Sequence, residues 1–267
     1  MMNLLLRTLK NRLISSIVYI LSGVGFLELY VALYPALSKQ IQAYDQIAKA
    51  FPEALMKAFG MEELIFNSFE GYISTEHFSL VWPLLIIFMM IGFAASTLAG
   101  EVEQRTLGLT LSQPLSRTRI YFTKYVAGVI LLLTFTIASI ITVVPLAAIH
   151  NVAIQTGHFW VMTVLGFCFG LSMLSLGFVM SAAFSERSHV SMAAGGILVI
   201  MYVLRIVAGL KESWKDIEYA SVFHYLSASK ALLHGQLLGL DVAVLLGASL
   251  LLTGLGWAIF VRRDIAV

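Results

Sequence analysis

Two residues able to carry charge fall inside stretches greasy enough to sit in lipid: Glu28 and Arg205. An ionisable group in hydrocarbon costs about 2.5–3.5 kcal/mol on the insertion scale, so it calls for a partner or a water-filled path. Glu28 stands six residues before Tyr34, and Arg205 five before Leu210, where their apolar stretches end. At about 1.5 Å per helical residue the two share a depth. The expectation is a Glu28–Arg205 pair, or a vestibule that both line. The alternative is Arg205 snorkelling to the interface alone, with Glu28 facing a polar crevice. A third polar feature is longer. Residues 101–124, EVEQRTLGLTLSQPLSRTRIYFTK, interrupt two apolar stretches with two Glu, three Arg, one Lys and a central Pro. Such a run suits contact with another protein more than bond-making.

Bond-making chemistry finds little support elsewhere. No G-x-x-x-x-G-K-[ST] phosphate loop occurs, so if ATP drives this chain, another chain binds it. There is no H-E-x-x-H, no cysteine pair and no G-x-S-x-G elbow. Cys168 is the one cysteine, which forbids an internal disulfide and reads as a small core residue. The six histidines are scattered, and His150 and His158 flank a loop without ligand-like partners. Glu62–Glu63 reads as a solvated helix face. The expectation is no catalytic residue, no metal and no cofactor on this chain.

The elements that position these residues are membrane helices. Of 267 residues, 59% are hydrophobic and 12% charged, against about 45–50% and about 25% in soluble domains. Mean hydropathy is +0.89. A bilayer core needs about 20 apolar residues as helix. Six stretches qualify, at about 13–34, 79–100, 125–149, 159–184, 190–210 and 241–261. Alternating barrel strands are absent, and unpaired backbone is not tolerated in lipid. The fold class is therefore all-α, one membrane domain over 1–267. With the N-terminus in the cytoplasm, every arginine outside the spans falls inside, and the short loop His150–His158 holds no Lys or Arg. Both termini and segment 101–124 are then cytoplasmic. Net charge of +2 without a dense basic cluster gives no sign of nucleic acid.

The flanks add three expectations. Leu5, Leu6, Leu9 and Leu13, with Arg7, Lys10 and Arg12 between them, read as a short amphipathic helix on the membrane surface, or as a basic flank to the first span. The outer stretch 35–78 carries a helical stripe through Tyr44, Ile47, Ala48, Phe51, Leu55, Ala58 and Phe59. Pro52 with Glu53 and Gly60 mark start and stop. The outer stretch 211–240 is too short to span and fits a surface or re-entrant hairpin. Small residues recur at Gly92, Ser96 and Gly100 and at Gly166 and Gly170, spacing that lets helices approach closely.

Within 101–124, Glu101 and Arg105 are spaced to pair on a helix that continues out of the second span. Gln113 before Pro114 disfavours helix there. Ser116 is then a good N-cap for the next helix. Arg117 and Arg119 fall in its first turn, where the dipole disfavours cations. Lipid phosphates or acidic groups on a partner would explain them. The segment reads as helix, elbow, helix, with Leu107 and Leu111 as an exposed apolar stripe.

These residues resemble a pattern in the permeases of ATP-binding-cassette exporters of the type-2 class. That pattern runs close to E-x-x-x-G-T-L-x-x-L-L-S-x-P-x-S-R after the second span, with a Lys a few residues on. Glu101, Thr106, Leu107, Leu111, Ser112, Pro114, Ser116 and Arg117 match, followed by Lys124. Arg105 stands where the family has Gly, and Thr110 where Leu is common. A weaker echo, SVFHYLSASKALLHG at 221–235, looks like the family's S-P-F-H-Y segment with Val222 for Pro. The resemblance implies two facing permeases, identical or not, and two cytosolic ATPase subunits that bind ATP and Mg. The coupling residues would be Glu101, Glu103, Arg105, Thr106, Leu107, Leu111, Ser112, Pro114, Ser116, Arg117 and Arg119. It also implies a multi-pass protein of a prokaryotic plasma membrane that moves a hydrophobic or amphipathic cargo outward.

Rival readings are a secondary transporter or channel, an intramembrane enzyme, and a sensor or immunity protein on a permease scaffold. The first lacks broken spans with paired ionisable residues. The second lacks a nucleophile–base or metal set.

Overall fold

The structure, a computed structural model, describes residues 2–38, 68–112, 114–210 and 212–263. The stripe 44–59 and Glu62–Glu63 lie outside the described residues. Among the described residues no strand occurs, and six helices are long and apolar enough to cross a membrane.

The first span is α1, Met2–Leu37. Its 36 residues extend about 54 Å at helical rise. The N-terminal amphipathic stretch is not a separate surface helix. Residues 2–13 contain neither Gly nor Pro, so the helix runs unbroken into the span. Leu4 is buried there, Leu5 and Leu9 pack on the core, and Leu6 and Leu13 stay exposed.

The second span, α2, covers Phe69–Thr97 and begins ten residues before the expected 79. Its early part mixes Phe69, Tyr72 and Ile73 with Glu70, Glu76 and His77, which lowers the apolar signal. Neighbouring protein accommodates part of that polarity: Glu70 is buried and accepts a 2.7 Å hydrogen bond from the Gln155 amide. Ser68 caps the start, its hydroxyl accepting from Gly71 N. Ser74–Val81 winds as a π-helix just before Pro83. Proline lacks an amide proton and its ring crowds the carbonyl one turn back, so the wider turn relieves both problems.

Two short helices follow, α3 (Ala99–Glu103) and α4 (Leu107–Leu111). The third span, α5, is Arg117–Ile149 with a break at Thr142. Then come α6 (Thr156–Ala183) and α7 (Arg187–Leu210). Two 3₁₀ segments, Glu212–Ala220 and Val222–Tyr225, lead to α8 (Ala228–His234). The chain closes with α9, Gly239–Arg262. Stretch 212–238 is thus neither a span nor a bare loop. Ala228, Ala231 and Leu232 of α8 are buried against α6 and the π-helical turn. Gly235 ends α8 at φ 60°, and His158 Nδ1 lies 2.6 Å from the Leu232 carbonyl oxygen.

The bundle is built around α6. Its most apolar window is 78% buried, against 17% for α7 and 22% for α1. It packs on α2, α5, α7, α8 and α9. Glycine makes the closest approaches possible. A Cβ on Gly166 would meet Trp82 at 2.0 Å, and one on Gly170 would meet Leu132 at 2.3 Å. Gly92, by contrast, faces open space. Gly166 and Gly170 therefore serve packing inside this chain. We expect Gly166→Ala to lower the melting temperature in detergent by several degrees, because overpacking costs about 1–3 kcal/mol. Gly92→Ala should leave it unchanged or slightly higher.

Candidate functional site

With six spans, the two termini share one face, and segment 98–116 lies on it. The α2 helix ends at Thr97, and Leu98 departs from helical geometry at φ −107° and ψ −64°. Ser181 of α6 spans this break. Its hydroxyl donates to Ala94 O at 2.7 Å and accepts from Ala99 N at 2.9 Å. The chain then makes one turn as α3 and reverses at Arg105.

That reversal is a Schellman motif. Thr106 N donates to Glu101 O at 2.9 Å, and Arg105 N donates to Val102 O at 2.9 Å. The motif requires a left-handed residue, usually Gly. Here it is Arg105, at φ 57°. Arginine at the family's glycine position thus keeps the turn instead of abolishing it. Leaving helical geometry also removes the expected Glu101–Arg105 pair. The Arg105 side chain is exposed and has no polar partner among the described residues.

Glu101 turns inward. Its Oε2 lies 2.6 Å from Lys124 Nζ and accepts from Thr110 Oγ1 at 3.3 Å. Lys124 is fully buried and also donates to Thr97 O at 2.8 Å. One carboxylate thereby ties α3, α4 and α5 together, and one ammonium caps the last turn of α2. Leu107 faces the same interior and is only 2% exposed. The expected exposed leucine stripe is corrected here: Leu107 is core, and the Leu111 side chain lies outside the description.

The elbow falls where Pro114 directs it. Helix α4 ends at Leu111, and α5 starts at Arg117 with Ser116 as its N-cap, accepting from Arg119 N at 3.3 Å. Arg117 is engaged within the chain. Its guanidinium donates to the carbonyls of Val261 and Arg263 at the end of α9. Arg263 donates to Ala182 O and Phe184 O at the end of α6, at 2.9 and 2.8 Å. Arg12 reaches Ser96 O near the end of α2 at 3.4 Å. Glu103 lies 3.6 Å from Arg187 and accepts from its amide at 3.2 Å. Exposed at the surface of the segment are Glu103, Gln104, Arg105, Ser112, Pro114, Ser116 and Arg119. Thr106 is half-buried.

On the opposite face the expected Glu28–Arg205 pair does not form. Glu28 Oε1 lies 2.9 Å from His150 Nε2, supplied by the end of α5. Arg205 donates to Phe223 O at 2.7 Å, in the 3₁₀ turn that follows α7. Equal depth set the expectation, but α1 packs on α5 while α7 packs on the 3₁₀ segments. Sequence reasoning also missed Lys124 as a site residue. Glu28 and Arg205 were marked because they fall inside apolar stretches, and Lys124 escaped because it precedes the expected 125–149 by one residue.

Two outcomes follow from the geometry. Glu101→Gln alone should cost about 3–5 kcal/mol by stranding the buried Lys124 charge, and Lys124→Met less, because Glu101 is partly exposed. The double variant should lose clearly less than the sum, read by thermal melting. Arg105→Gly should raise stability by about 1 kcal/mol, because glycine carries no left-handed penalty.

No curated protein matches the chain closely enough to supply a relative. The family described as ABC-2 family transporter protein matches residues 2–265. This family is a transmembrane component, distinct from the ATPase with which it associates. Six apolar spans, the helix–elbow–helix after the second of them, and a match over nearly the whole length agree: the chain belongs to the ABC-2 permeases, multi-pass transmembrane parts of ABC transporters.

Proposed function

We propose that the chain is the membrane half of an ATP-driven exporter. Two copies, or one copy and a second permease, face each other, and two cytosolic ATPase subunits supply ATP and Mg. Both termini and segment 98–116 face the cytoplasm, in a prokaryotic plasma membrane, and the ATPase docks on that segment. Cargo moves outward, and the apolar spans suit a hydrophobic or amphipathic one.

The observation that carries this reading is the rigid tie beneath an exposed tip. Arg105, Pro114 and Arg119 stand at the surface. Directly below, Glu101 and Lys124 lock the segment to α2 and α5. A force on the tip therefore reaches two spans without passing through a soft loop. Arg105 and Arg119 suit acidic side chains on a partner, since rim charges govern encounter and specificity.

A tagged chain purified from its own membranes should retain an ATPase subunit bearing a phosphate loop. Arg105→Glu with Arg119→Glu should reduce that retention about tenfold while leaving the melting temperature of the isolated permease unchanged. An unmodified chain that brings down no ATPase, or a double variant that retains it in full, overturns the proposal.

A further inference from the structure

Between the first turns of α1 and the segment that follows α2 lies a cavity of about 180 Å³. Its charged lining is Arg7, Arg12, Arg187 and Glu101. Three cations against one carboxylate leave an excess of two positive charges, and Glu101 is already matched by Lys124 at 2.6 Å. Across the cavity the charges of Arg12 and Arg187 repel, and Arg7 acts against Lys124 in the same way. Arg187 pairs with Glu103 and still keeps a donor without a hydrogen bond. Its Nε is buried and has no hydrogen-bond partner among the described residues. The guanidinium lies so close over Gly100 that a Cβ there would meet Nε at 2.4 Å. Glu103, which does not line the cavity, forms an ion pair with this Nε at 3.6 Å, too long for a hydrogen bond.

An unsatisfied buried donor and an excess of like charge are both costly. A bound anion removes both costs, and guanidinium forks fit phosphate oxygens in paired fashion. We propose that this cavity holds the phosphate of an anionic lipid headgroup. The lipid source follows from α1. Leu6, Leu13 and Ile14 of the same helix turns are exposed apolar side chains, along which an acyl chain can lie while the headgroup enters between Arg12 and Arg187. This proposal does not depend on the ATPase docking, since it concerns the permease alone.

The test is native mass spectrometry of the full chain exchanged into phosphatidylglycerol or phosphatidylcholine micelles. The expected result is preferential retention of phosphatidylglycerol, falling about tenfold in Arg12→Gln with Arg187→Gln. Lys10→Gln, an exposed neighbour outside the cavity, should retain as much as the unmodified chain. Should the double variant fail to fold, Arg187→Lys keeps the charge, loses the fork, and should show an intermediate loss. Equal retention of the two lipids, or undiminished retention in the Arg12 and Arg187 variants, overturns the proposal. Millimolar inorganic phosphate is the third arm. If it displaces the lipid and raises the melting temperature as much as the lipid does, the site is one for free phosphate and the lipid assignment fails.

Discussion

A helix that stops inside a protein leaves its last carbonyls without amide donors and gathers negative charge at that end. On the face of the termini three helices stop side by side: α2, α6 and α9. Each ends against cations drawn from elsewhere in the chain. Arg12 and Lys124 serve α2, Arg263 serves α6, and Arg117 serves α9. This constraint organises that whole face. It explains why a lysine is fully buried beside a span, and why Arg117 tolerates the unfavourable start of its own helix. The end of α9 needs that guanidinium more than the start of α5 objects to it. It also gives the arginine asymmetry a second meaning. The arginines that gather on that face are the groups that close its helix ends.

The interrupted segment inherits its shape from this arrangement. Glu101 must stay helical long enough to reach Lys124, and the chain must then reverse within one residue to bring Thr110 back to the same carboxylate. Only a left-handed residue achieves that reversal, and Arg105 adopts it. Leu107 is drawn inward by the same turn, which leaves polar and charged groups at the tip. The exposed surface of the segment is accordingly more polar than a leucine stripe would be.

Much of this was legible beforehand, for identifiable reasons. All six spans were visible because hydropathy is a property of the residues themselves. Ser116 as N-cap and the break at Pro114 were visible because local backbone chemistry decides them. Arg105 stood out against a family pattern, and the strain it signals is real. Three things were hidden. Phe69–Phe78 was hidden because Glu70 and His77 break the apolar run, and only packing accommodates them. The partners of Glu28 and Arg205 were hidden because equal depth says nothing about which helices adjoin. Leu107 was misplaced because a leucine in a polar run looks exposed until the fold supplies an interior.

One long element gives the face of the termini a reach beyond itself. Helix α1 is unbroken from Met2 to Leu37, and midway along it Gly23 rests against Phe135, where a Cβ would meet the ring at 3.3 Å. Arg12 lies eleven residues to one side of that contact and Tyr34 eleven to the other, or about 16 Å each way. One rigid element therefore holds both ends of the second span: Arg12 meets the end of α2, and Tyr34 meets Phe69 and Tyr72 in the aromatic seam at its start.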